Sequence, residues 1–93
     1  MAISIKSTEE FEEWLENQPL KYEAQIRKRL LAIQEHDHFG DFKGLGKGLY
    51  ELRWKNGRRV YFARIGEDTI LLLLGGIKNE QNKQIKKARA MLR

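Results

Sequence analysis

The 93-residue chain contains no cysteine. That excludes disulfides, thiolate nucleophiles and zinc sites built on sulfur, although it does not by itself identify a compartment. No apolar run approaches the ~20 residues needed to cross a bilayer, and Met-Ala-Ile-Ser-Ile-Lys at the N-terminus lacks the charged-then-apolar layout of a secretory signal. A cytoplasmic protein with no membrane association is therefore expected. One core of two packed layers fits this length and a dinucleotide-binding fold does not, so residues 1–93 are read as a single domain. Histidine is scarce as well. His36 and His38 flank Asp37 in one segment, which leaves no Ser-His-Asp arrangement to assemble. Residues two apart on a helix point to different sides, which argues against a metal site there. Gly44-Leu-Gly-Lys-Gly48 lacks the Lys-Ser/Thr ending of a phosphate-binding loop and precedes a strand. Paired carboxylates for hydrolysis are missing from the basic region, where Glu51 is the only acid. Neither a cofactor nor a metal is expected.

What the chain does have is positive charge in two places. The formal net charge is +5 and the pI is near 9.6. Residues 1–42 hold five Lys/Arg against nine Asp/Glu, residues 43–64 hold seven against one, and residues 78–93 hold six against one. A cationic half on an acidic or neutral scaffold suits nucleic acid, because neutralising phosphates releases counterions and gives salt-sensitive affinity. Surface lysines and arginines also serve solubility and guard sheet edges, so charge alone does not settle the matter.

The order of elements reads β-α-α-β-β-β-α. Ala2 to Lys6 suits a short strand with Ile3 and Ile5 on one face. Ser7-Thr8-Glu9-Glu10 supplies a capping box, and Phe11, Trp14 and Leu15 follow at helical spacing until Pro19 stops the helix. From Leu20 to Asp37, Tyr22, Ile26, Leu30 and Ile33 form the apolar stripe of a second helix, which should pair with the first as a helical hairpin on a sheet. Phe39 to Lys47, broken by Gly40, Gly44 and Gly46, reads as a mobile basic loop. Thr69 to Leu74 is a continuous apolar run suited to a central strand. Gly75-Gly76 ends it, and Asn82 to Arg93 forms the last helix with Ile85, Ala88 and Leu92 roughly on one side. The expected fold is α+β, a helical hairpin packed on one face of a small, mainly antiparallel sheet.

Gly48 to Arg64 reads as a β-hairpin around Asn56-Gly57, whose tolerance for positive φ suits a two-residue type I′ turn. Strand alternation puts Tyr50, Leu52 and Trp54 on one face with Val60 and Phe62, and Arg53 on the other with Arg59 and Tyr61. Only the face away from the helical hairpin is expected to be free, and Arg53 and Arg59 fall on it. Guanidinium is planar, stays charged, and fits phosphate oxygens with two donors at once. Lys43, Lys47, Lys55, Arg58 and Tyr61 are candidate RNA contacts around this pair. Such a surface fits metal-free phosphodiester cleavage, in which the 2′-hydroxyl of RNA attacks the adjacent phosphate. The protein then has to move a proton, offset negative charge and hold the groups in line.

The segment GLYELRWKNGRRVYFARIGEDTILLLLGGIKNEQNKQIKKA resembles the RelE/ParE toxin superfamily, in particular its HigB-like "addiction module killer" group. The similarity extends over nearly the whole chain. The resemblance implies the toxin of a type II toxin–antitoxin module, an mRNA interferase that cuts mRNA on the ribosome. Its inhibitor would be a cognate antitoxin, commonly a HigA-like helix-turn-helix repressor, and operator DNA would be met only through the antitoxin complex. Arg53 matches the arginine of the LYELR segment and Arg59 the one before VYF, both implied to contact phosphate. Lys78, after Gly75-Gly76-Ile77, matches a basic residue at the edge of the cleft. Arg53, Arg59 and Lys78 are thus the implied catalytic residues. Some members also carry a tyrosine or histidine near the C-terminus. This chain has neither after Tyr61, so a lysine or Tyr61 would have to take that part. Two alternatives stay open: a non-enzymatic inhibitor of DNA gyrase, as in the ParE branch, and a plain nucleic-acid-binding module.

Overall fold

In the computed structural model, which describes residues 2–92, the first helix is capped by Thr8 and not by the Ser7–Glu10 capping box expected, because Phe11 stands at the third helical position, where the box needs a Glu or Gln. The Thr8 hydroxyl accepts a hydrogen bond from the Phe11 N–H at 3.1 Å and donates one to the Leu73 carbonyl at 2.7 Å. The second bond ties the start of helix α1 (Glu9–Glu16) to the central strand. Pro19 separates α1 from α2 (Leu20–His36), which ends at Asp37 in the left-handed conformation. The strands are β1 (Ser4–Ser7), β2 (Phe42–Gly46), β3 (Leu49–Arg53), β4 (Arg58–Gly66) and β5 (Thr69–Ile77). They lie side by side in the order β1-β5-β4-β3-β2, with β1 parallel to β5 and every other pair antiparallel. A 3₁₀ turn (Lys78–Glu80) leads into α3 (Gln81–Met91). The expected helical hairpin on a mainly antiparallel sheet is what forms. Arg93, with which the predicted last helix ends, lies outside the described residues.

Three further expectations need correction. The segment read as a mobile loop contains an edge strand, because Phe42, Lys43 and Gly44 pair with Leu52, Glu51 and Tyr50, followed by a bulge before Gly46. Its glycines hid the strand, which depends on the neighbouring strand rather than on its own composition. The turn at Asn56-Gly57 is not type I′. Positive φ occurs at Gly57 alone, Gly57 N–H bonds the Trp54 carbonyl at 3.0 Å, and Trp54 N–H bonds the Arg58 carbonyl at 3.1 Å. That is a three-residue loop with a left-handed glycine, and the Asn56 side chain braces it by accepting from Arg58 N–H at 2.9 Å. Finally, the second face of the sheet is not free, because α3 covers part of it.

The sheet therefore has a core on each side. Phe11, Leu15, Ile26 and Ile33 of the helical hairpin pack on Leu52, Val60, Phe62, Ile70 and Leu72, while Leu49, Tyr61, Ala63, Leu73 and Leu74 pack under Ala88 of α3. A bulge in β5 permits both. Tyr61 pairs with Leu74 but Phe62 with Leu72, so Leu73 is an extra residue and joins Leu74 on the α3 side.

Gly75 and Gly76 let each face close. A Cβ on Gly75 would lie 2.2 Å from the Trp14 ring, and one on Gly76 would lie 1.9 Å from the side-chain amide of Gln84. A rigid indole packed against the core cannot give way as a flexible amide tip can. Gly75→Ala should thus cost about 1–3 kcal/mol by overpacking, and Gly76→Ala distinctly less. Denaturant unfolding of the two variants checks this, and equal losses would show that the Trp14 contact is not what requires glycine.

Candidate functional site

Three rows of side chains cross the α3 side of the sheet. Arg53 pairs with Arg59, which pairs with Gly76; one step along, Lys43 pairs with Glu51, Glu51 with Tyr61, and Tyr61 with Leu74. The third row, Leu49 opposite Ala63 and Leu71, belongs to the core under α3. Cross-strand partners have Cβ atoms about 4.5–5.5 Å apart, and like charges so placed repel. One of the two guanidiniums is compensated. Arg53 Nη2 donates to Asp41 Oδ1 at 2.9 Å, and its backbone N–H donates to the Asp41 carbonyl at 2.9 Å. Arg29 closes this corner by donating to the Arg53 carbonyl at 2.7 Å, with its guanidinium 4.2 Å from the Trp54 ring centroid. Burial lowers the proton affinity of Arg29, and the Asp41 carboxylate works in the opposite direction. Arg59 is different. It is half-buried, and its Nε is enclosed with no hydrogen-bond partner.

The remaining candidate residues divide by position. Lys55, in the hairpin loop beyond Arg53, and Lys78, whose N–H donates to the Gly57 carbonyl at 2.8 Å, are exposed at the same end of the sheet as the arginine pair. Lys43 is exposed beside Glu51 on the edge strand. These are the cations that the fold brings together. Lys47 sits at the opposite end of β3, in the turn from β2, where it adopts φ 55°. Arg58 faces the other way: its guanidinium lies 3.8 Å from the Tyr22 ring centroid and its Nε donates to Gln18 at 3.1 Å, which locks the hairpin to the helices. Tyr61 is fully buried under α3, and its hydroxyl pKa is raised, first by burial and then by the Glu51 carboxylate, with Arg59 pulling the other way.

Sequence reasoning passed over Glu51, Gln81 and Gln84. Glu51 is fully buried, and its Oε2 accepts from Gln81 of α3 at 2.6 Å. The available signal was that a single acid stood on the same strand face as Arg53. A surface depression lined among others by Asp37, Phe39, Arg64, Glu67 and Asp68 is separate from this cluster. Three acids against one arginine make it a poor polyanion site. Among the described residues no group of three or more His, Cys, Asp or Glu is placed to hold a metal, and no helix is long and apolar enough to cross a membrane.

The family model described as phage-derived protein Gp49-like (DUF891) matches residues 13–93. A Haemophilus influenzae protein described as uncharacterized is 37% identical over 94 residues, covering 98% of this chain and 94% of its own. Among solved structures, an Escherichia coli toxin RelE carrying two arginine-to-alanine changes, in the free state, superposes with a TM-score of 0.81 at 19% identity over 100% of both chains. The RelE–RelB complex of Pyrococcus horikoshii gives 0.70 at 17% identity, covering 84% of this chain and 97% of that one. The E. coli RelBE toxin–antitoxin complex gives 0.69 at 18%, covering 82% and 96%. The RelE/ParE resemblance carried by the hairpin and the two glycines thus stands: the chain belongs to the phage-derived Gp49-like family and has the RelE fold.

Proposed function

We propose that this protein is the toxin of a toxin–antitoxin module and a metal-free endoribonuclease acting on mRNA at the ribosome. The observation that carries this reading is the Arg53–Arg59 cross-strand pair, with Lys55 and Lys78 at the same sheet end and, among the described residues, only one of the two guanidiniums ion-paired. Such an arrangement tolerates its own repulsion best when a polyanion lies across it. In the proposed reaction Arg59 and Arg53 hold the scissile phosphate and offset the charge that builds on its oxygens, while the RNA's own 2′-hydroxyl is the nucleophile. The RelE fold supports the choice of class, and the relatives solved as toxin–antitoxin complexes support an antitoxin as partner. The test is to express the chain with and without its genomic neighbour, mapping transcript ends and gyrase-linked DNA breaks. New 5′ ends within translated mRNA support the proposal. Gyrase-linked breaks without RNA cleavage would replace it by the ParE-type reading.

Neutralisation by an antitoxin, HigA-like or otherwise, should use an acidic segment on this cationic end, and binding should then depend on salt. Lys43, Lys55 and Lys78 are the exposed cations to neutralise, since Arg58 is engaged with Tyr22. The antitoxin on-rate for the wild type should fall at least tenfold between 50 and 500 mM salt, and less for the triple Lys→Gln variant. Superimposable, flat curves would move the contact elsewhere.

A further inference from the structure

Four buried side-chain atoms find no partner of good hydrogen-bond geometry among the described residues, and they fall in one place: Glu51 Oε1, Arg59 Nε, the Tyr61 hydroxyl and Gln84 Oε1. The Glu51 carboxylate nonetheless lies near enough to the Tyr61 hydroxyl for a hydrogen bond between them to help raise the Tyr61 pKa. Glu51 and Tyr61 are cross-strand partners, Arg59 lies two residues from Tyr61 on the same face, and Gln84 rests on Gly76, the neighbour of Arg59. Buried polar groups are nearly always paired, and a buried carboxylate is costly unless compensated. Two donors and two acceptors concentrated under one helix end form a site rather than scattered defects.

We propose that Glu51 is the general base and Tyr61 the general acid of the phosphodiester cleavage, kept under the first turn of α3, with Gln81 as the latch. This rests on the proposed ribonuclease function. Glu51 Oε1 takes the proton of the 2′-hydroxyl as the O2′–P bond forms. The P–O5′ bond breaks, and the 5′-oxygen leaves with the Tyr61 proton. The Glu51 carboxylic acid then returns its proton to the tyrosinate, so both groups end as they began and a 2′,3′-cyclic phosphate is released. The two groups are coupled in the useful direction. The Glu51 carboxylate is one cause of Tyr61's raised pKa, so protonating Glu51 removes that cause while Arg59 continues to favour the tyrosinate. Arg59, beside both, is placed to hold the phosphate.

Access requires the first turn of α3 to lift, and that turn is lightly held. Of α3 only Ala88 is fully buried, with Ile85 and Met91 partly so, and neither the 3₁₀ turn nor α3 has a side-chain N-cap. The firmer anchors are further along: Arg89 donates to the Leu45 carbonyl at 2.6 Å, and Lys87 pairs with Glu10. Gln81 itself borders an open depression shared with Lys78 and Lys83, so the latch faces the side from which a cation-guided strand arrives.

Glu51→Gln, which keeps shape and can still bond Gln81, should lower kcat on ribosome-programmed mRNA at least 100-fold with KM within threefold. Tyr61→Phe should lower kcat at least 100-fold on the natural 5′-oxygen leaving group but cut a 5′-phosphorothiolate substrate, whose leaving group needs no proton, at close to the wild-type rate, and it carries the test alone if Glu51→Gln does not fold. Amide exchange at residues 81–84 should quicken when a non-cleavable 2′-deoxy mRNA is bound. If wild type cuts RNA and both variants cut equally well, or if Tyr61→Phe is equally slow on the oxygen and the phosphorothiolate leaving groups, the pair is structural and only this inference falls. Unchanged exchange on binding overturns the latch. A wild type inert on every RNA removes the proposed function and this pair with it.

Discussion

Arg59→Ala abolishes growth arrest and lowers RNA cleavage by about 10²–10³-fold, while the domain stays folded. That is the expected magnitude for deleting one preorganised donor facing developing charge. The position explains why stability should survive. The Arg59 guanidinium is half-buried with an unpartnered Nε, opposite another arginine, and no ion pair among the described residues involves it. Removing it relieves a like-charge contact and a desolvated donor, so the melting temperature should hold or rise. Arg53→Ala should also relieve arrest but behave differently on unfolding. It loses the pair with Asp41, a contact between partly exposed groups, worth about 0–1 kcal/mol. If thermal unfolding shows either change collapsing the domain by several kcal/mol, the residue is structural and the phosphate role is wrong.

The division of the hairpin into faces was legible because alternation in a strand is strict. Tyr50, Leu52, Trp54, Val60 and Phe62 do share the core with the helical hairpin, and Arg53, Arg59 and Tyr61 do share the other side. The first helix was legible to within a residue, since Thr8, Phe11 and Leu15 act within one turn or two, although its cap is Thr8 alone and not a capping box. What escaped was non-local. β2 exists because β3 supplies its hydrogen bonds, and Phe42-Lys-Gly-Leu-Gly46 has no strong preference of its own. The cover over the second face depends on where α3 lands, and its polar sequence reads as solvated although Ala88 and the extra residue Leu73 make a small core beneath it. Once α3 lands there, Glu51 changes from a stray acid in a basic hairpin to a fully buried carboxylate. Arg58 escaped for a simpler reason: it neighbours Arg59 in sequence, and strand alternation sends it to the opposite face, onto Tyr22.

A single 2′-deoxy substitution 5′ to the scissile phosphate should abolish cleavage entirely, and cleavage of the all-ribose mRNA should continue in excess chelator. The substitution removes the only nucleophile that the proposed reaction uses, so the loss should exceed that of any one side chain. The donor set around Arg59 motivates the second half: guanidinium, phenol and amides with one carboxylate suit a phosphate, whereas a hard divalent cation prefers several oxygen anions. Products should carry a 2′,3′-cyclic phosphate or the 3′-phosphate from its opening, with a 5′-hydroxyl on the downstream fragment. Ribosomes themselves need Mg²⁺, so the chelator arm uses a short RNA at high toxin concentration, and the deoxy arm uses programmed ribosomes. Cleavage of the deoxy substrate at the same bond would show that water, not the 2′-hydroxyl, attacks. Cleavage lost with EDTA and restored by Mn²⁺ would show that the arginines alone do not carry the developing charge.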